Sequence, residues 1–165
     1  MATYHPTDAE REAAISHIKY EFDQMCLAHE LVRDQTFGDD SDPKSWLISE
    51  AGYVHARNLI EFLFFYSNGP TPEEIERGIK PGPRAIWYSD NRSWGIRSRK
   101  RDFEVLLGGL DVKTIKTRID RRVLHVALDR DEIPRIDFFE LIDALKTSWG
   151  FFTQGLEAPW KAKFE

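Results

Sequence analysis

At 165 residues, with 41% apolar and 31% charged side chains, the chain is long enough for one hydrophobic core and too apolar to be disordered. Its single cysteine, Cys26, excludes an intrachain disulfide and a cysteine-based zinc site, and fits a reducing compartment. The net charge of −5 is uneven: residues 1–83 carry 7 Lys/Arg against 15 Asp/Glu, residues 84–122 carry 11 against 5, and residues 123–165 carry 5 against 8, so a basic middle sits in an acidic chain.

The first dozen residues are polar and lack the apolar core of a signal peptide. The most apolar stretch, residues 59–66, is interrupted by Glu61 and is too short to span a bilayer. A soluble cytoplasmic protein without membrane contact is expected. Thr7 and Glu10 have capping-box spacing and predict a first helix from Thr7. Ile15, Ile18, Phe22, Met25 and Cys26 then recur at helical steps to about residue 32. Cys26 reads as a small core residue.

A second helix is predicted from Asp42 and Pro43, a cap followed by an N1 proline. Leu47, Ala51, Val54, Asn58, Phe62 and Phe65 form its apolar stripe, which Leu59 and Leu63 widen. Residues 69–110 are less regular. Thr71, Pro72 and Glu74 suggest a short helix to about residue 77. Residues 81–83 read as a turn, and 85–88 as a short extended or docked segment. A further short helix is expected over 102–107, closed by Gly108 and Gly109.

The third long helix starts at Asp111, with Val112, Ile115, Ile119, Val123 and Val126 on one side. The fourth follows residues 131–134 with the stripe Phe138, Leu141, Ile142, Leu145, Trp149 and Phe152, closed by Gly155. Trp160 is expected to dock the tail on the bundle. The reading is one all-α domain over 1–165: a four-helix bundle with a long irregular insert between the second and third long helices.

Chemistry is best placed on the third helix. At 100° per residue, Arg118 and His125 stand about 20° apart, two turns along one face, and Arg121 about 40° from His125. A histidine titrating near neutrality can act as acid or base. An arginine can hold a phosphate through paired hydrogen bonds and stabilise the charge of a phosphorane. The plainer alternative is a solvated basic face in the C-terminal half of a helix. Leu124 and Leu128 make a second apolar patch beside Arg121 and His125. It requires either a central helix or a partner subunit, and the latter puts His125 at a dimer seam.

With its long helices and the Arg-x6-His spacing of Arg118 and His125, the chain resembles the HEPN superfamily, helical proteins that include many ribonucleases and toxins. In that family an arginine–histidine motif from two protomers meets at a dimer interface and forms a metal-independent ribonuclease site. The resemblance implies Arg118 and His125 as the catalytic pair, an RNA substrate, a homodimer, no metal or other cofactor, and a bacterial toxin or defence system. The position after the arginine, polar in the family, is Ile119 here, inside the core stripe. A non-enzymatic protein–protein interaction module of such a system, or a structural bundle, stays open beside the nuclease. The run Glu50, His55, Arg57, Leu59 and Phe62 also resembles helical bacterial proteins of this size, which carry no function over.

Helix two holds a second polar set. His55 and Asn58 fall in or beside its apolar arc, and Glu50, Arg57 and Glu61 share another face. These residues predict either a structural network between helices or a polar pocket of Glu50, His55 and Arg57 reached by Arg130. The five histidines are scattered, no Glu-x-x-His occurs, and no metal site is expected. Arg92, Arg97, Arg99, Lys100 and Arg101 crowd ten residues near Trp87, Tyr88 and Trp94. Together with Arg121 and Arg122 they are candidates for binding the nucleic-acid backbone, the aromatics stacking bases. The alternative is a solvated loop with tryptophans anchored in the core.

Overall fold

The computed structural model describes residues 6–34, 42–65, 82–88, 95–124, 134 and 136–164, without the side chains of Ile96, Arg122 and Leu124. Every regular element among them is helical. They are α1 (Asp8–Arg33), α2 (Pro43–Phe64), a 3-10 turn (Ala85–Trp87), α3 (Ile96–Leu106), α4 (Val112–Ile119) running into a π-helical turn (Asp120–Leu124), α5 (Phe138–Gln154) and α6 (Ala158–Phe164). No helix among the described residues is long and apolar enough to cross a membrane.

Side-chain oxygens set four of these starts. Thr7 Oγ1 accepts from the Glu10 amide at 3.3 Å while Glu10 Oε2 accepts from the Thr7 amide at 2.9 Å, the reciprocal box that the spacing predicts. Asp42 accepts from the Lys44 amide at 2.8 Å, Asp111 from Thr114 at 3.0 Å, and Asp137 from Glu140 at 2.9 Å. Each such cap is worth about 1 kcal/mol. Asp137 thus starts α5 after residues 131–134, as the sequence reading places it. The short helix expected over 72–77 lies outside the described residues.

α2 touches more neighbours than any other element: α1, α5, α4, the π turn, α3 and the 3-10 turn. Its buried face is Gly52, Ala56, Leu59, Ile60 and Phe62 to Phe64. The predicted stripe is thus corrected, because Leu47 is 68% exposed and Ala51 is also exposed. Towards its C-terminus α2 has apolar residues at 59, 60 and 62–64, so several faces score alike there and periodicity cannot choose among them. The stripes of α1 and α5 fare better. Ile15, Ile18 and Met25 are buried, as are Phe138, Leu141, Ile142, Leu145, Trp149 and Phe152. Cys26 is partly buried against the same core, and burial pushes its thiol pKa up.

Among the described residues of the expected insert, two parts are regular. Residues 85–87 form a 3-10 turn, and Tyr88 after it is fully buried. Its hydroxyl donates to the Arg11 carbonyl at 2.9 Å, its own carbonyl accepts from Glu157, and its ring meets Trp160 and Phe164 edge-on. Trp160 is itself buried, so α6 docks as the sequence suggests. α3 starts at Ile96, six residues before the expected Asp102, because Gly95 turns the chain through a left-handed conformation, φ 56°. Gly108 and Gly109, at φ 67° and 82°, end it, with the Gly109 amide donating to the Glu104 carbonyl at 2.8 Å. Glu104 then reaches forward to accept from the Val112 amide at 2.9 Å and ties α3 to α4.

The third long helix departs from expectation at Asp120, where α winding gives way to π winding.

The tightest contact lies where α1, α2 and α5 meet. A Cβ on Gly52 would stand 2.7 Å from two carbons of the Phe138 ring and 3.1 Å from Cβ of Ala28. Gly52→Ala gains about 1 kcal/mol of helix propensity but overpacks the junction at about 1–3 kcal/mol. A lower urea midpoint is expected. Gly150→Ala meets nothing within 4 Å and is expected to raise the midpoint through a stability gain of about 0.4–1 kcal/mol. A Gly52→Ala protein as stable as Gly150→Ala would refute the close approach.

Candidate functional site

The polar residues of α2 are used between helices. Asp120, the first residue of the π turn, accepts from Nε of Arg57 at 3.0 Å and from Nζ of Lys116 at 2.6 Å. Glu61 accepts from Nη1 of Arg57 at 3.0 Å and lies 3.5 Å from Nζ of Lys116. Two cations and two carboxylates therefore alternate around a closed ring that fastens α4 and the π turn to α2. Each side chain is partly buried, 18–32% exposed, so screening is weaker than for surface pairs.

The ring extends towards α1. Nη1 of Arg57 donates to Oδ1 of Asn58 at 3.2 Å, and Nδ2 of Asn58 donates to Oε2 of Glu21 at 3.1 Å. The same Glu21 oxygen lies 2.7 Å from Nδ1 of His55. A carboxylate only accepts, so Nδ1 of His55 is the donor. Tyr20 meets the His55 ring edge-on at 5.7 Å. The carboxylate that His55 meets is thus Glu21 of α1, and the interhelical-network reading of this set is the one that the hydrogen bonds support. Glu50 is partly buried on the same helix, and Arg130 lies outside the described residues. Sequence reasoning finds His55, Asn58, Arg57 and Glu61 but misses Glu21, Lys116 and Asp120. The i,i+4 spacing of Lys116 and Asp120 was the available signal.

Arg118 is partly buried at the rim of a shallow depression lined by Tyr53, Ile119, Val123, Pro134 and Ile136. The Tyr53 hydroxyl donates to the Ile136 carbonyl at 2.6 Å and closes one wall. No hydrogen bond or ion pair holds the Arg118 guanidinium among the described residues. His125 lies outside the described residues. The wheel that sets it beside Arg118 assumes α winding, and π winding over Asp120–Leu124 changes the angular step between the two positions. Arg84, which the sequence does not single out, is also partly buried. It donates to the Pro83 carbonyl at 3.1 Å, and burial lowers its pKa against the pull of Glu61.

The basic segment lies partly within α3, so the loop reading is corrected for residues 96–101. Arg99 stacks over the Phe151 ring at 4.0 Å and pairs with Asp102 at 3.4 Å. Lys100 lies 3.8 Å from Glu104. Arg97 and Arg101, at i,i+4, are exposed and carry no ion pair among the described residues. Arg121 is exposed on the π turn, while the Arg122 side chain and Arg92 lie outside the described residues. Among the described residues, no three His, Cys, Asp or Glu side chains are grouped to hold a metal ion.

Against this geometry, comparison with protein-family models, curated proteins and solved structures finds no match.

Burial alone would raise the Asp120 pKa, but hydrogen bonds from Lys116 and Arg57 outweigh it and hold it below the ordinary carboxylate value. The stabilisation is therefore complete above the ordinary range and is lost as pH falls through the depressed value, below about pH 4. Asp120→Asn is expected to cost about 1.5–3 kcal/mol at pH 7, and less at pH 3, in urea unfolding followed by circular dichroism. An equal cost at both pH values would contradict the ring.

Proposed function

We propose that this chain is an RNA-binding helical protein of HEPN-like type that works as a homodimer. Its core would be a four-helix bundle of α1, α2, α4 with its π turn, and α5, with residues 69–110 as the insert. The start of α3 carries the reading. α1, α2, α4 and α5 each begin on a side-chain oxygen cap. α3 begins on Gly95 with no side-chain cap, and its first six residues include Arg97, Arg99, Lys100 and Arg101. A helix N-terminus already carries about half a positive charge. Four cations there oppose the helix on its own account and raise the local positive potential. A phosphate backbone relieves that cost. Arg99 and Lys100 are partly neutralised in the helix, which leaves Arg97 and Arg101 to meet phosphates.

Arg118 supplies a second anion contact. In the nuclease form of the proposal it clamps the scissile phosphate and His125 acts as acid or base, with no metal required. Arg121 and Arg122 extend the contact to flanking phosphates.

A second reading, a protein–protein interaction module, is favoured by large apolar side chains left in solvent. Trp46 is 56% exposed, Leu47 68%, Val105 67% and Leu106 53%.

Fluorescence anisotropy with a labelled single-stranded RNA tests the proposal. Affinity is expected to fall steeply with salt. Arg97→Glu with Arg101→Glu should abolish binding, and Arg118→Ala should lower the log–log salt slope by about 1. RNA cleavage should disappear in His125→Ala. A wild-type protein that binds no RNA at low salt rejects the RNA reading, and a wild type that binds without cleaving rejects only the nuclease.

A further inference from the structure

The seam between α1 and α5 holds a buried histidine that the proposed RNA contact does not use. His29 is 5% exposed. Its ring lies edge-on to Phe139 at 5.3 Å, with Phe138 at 6.5 Å. Two side chains of α5 address its two nitrogens. Nζ of Lys146 is 3.1 Å from Nδ1, and Oδ1 of Asp143 is 3.6 Å from Nε2. An ammonium only donates, so Nδ1 is the acceptor and the single ring proton of the neutral imidazole sits on Nε2.

Protonation reverses this arrangement. A hydrogen on Nδ1 removes the lone pair that Lys146 uses and sets two cations at contact distance. The same charge strengthens the Nε2 contact with Asp143, whose side chain is 69% exposed and can close the remaining gap. Among the described residues, the other charged groups facing His29 are Arg33 and Glu30 of α1, opposite in sign.

We propose that His29 is a proton-operated latch on the α1–α5 seam: neutral, it holds Lys146; protonated, it releases Lys146 and binds Asp143. Burial, and then the Lys146 charge, keep its pKa below the ordinary histidine value against the pull of Asp143. Because the folded value is the lower one, the latch stabilises fully above the ordinary histidine range and fails as pH falls through the depressed value. Trp149, one turn beyond Lys146, stacks on Phe22 of α1 with ring centroids 4.4 Å apart, so its indole reports on the same seam.

The test is an NMR titration of the full chain from about pH 8 to pH 4, around the ordinary histidine value, following the His29 ring and the Trp149 indole. The His29 midpoint should lie below about 6.5, rise in Lys146→Met and fall in Asp143→Asn. The Trp149 signal should follow that midpoint in the wild type and lose this response in His29→Gln. If His29→Gln does not fold, the Lys146→Met and Asp143→Asn comparisons decide. A midpoint that Lys146→Met leaves unmoved, or a Trp149 signal that does not follow His29, overturns the latch.

Discussion

α2 is enclosed on most of its circumference, and a helix so placed must pass two tests at once. Where α1 and Phe138 press on it, there is no room for a side chain, and Gly52 leaves the space. Where its sequence carries charge, those charges must find partners before water is excluded. Arg57 and Glu61 do so by taking Asp120 and Lys116 into the ring, and His55 and Asn58 by sharing Glu21 of α1. The steric fit fixes how closely α1 and α5 approach. The ring holds Asp120, where α4 gives way to the π turn, against α2. Arg118, two residues before that turn, owes its place beside Tyr53 and Ile136 to this docking.

The same logic of charge separates structural cations from those offered to a ligand. Arg57, Lys116, Arg99, Lys100 and Lys163 each face a carboxylate within 4 Å. Arg97, Arg101 and Arg118 face none among the described residues. The cations without such a partner among the described residues, at an uncapped helix start and beside a depression, are the ones to which the proposed function assigns the phosphates.

Much of the helical layout was legible. Thr7 with Glu10, Asp42 with Pro43, and Asp111 mark helix starts through chemistry that acts within four residues, and local chemistry survives in a one-dimensional reading. The face of α2 was not legible, because Leu47 and Ala51 continue an apolar period that the fold leaves in solvent. Nor was the early start of α3, which depends on the left-handed conformation of Gly95 and runs against the electrostatics of its first turn. The π turn escaped because the wheel assumes a uniform 100° step. In the candidate site, Arg57 and Glu61 showed their i,i+4 relation, but Glu21 and Asp120 join them only across helices, 37 residues from Asn58 and 63 from Arg57 in sequence. Arg84 carried no pattern at all, since its significance rests on burial.

The proposed RNA contact rests on the exposed cations of α3 and on Arg118. Ultraviolet crosslinking of a bound RNA, followed by peptide mapping, tests it most directly. Crosslinks are expected in the peptides spanning residues 95–124 and at Tyr53. Crosslinks confined to other peptides, such as those of α1 or α6, would contradict it.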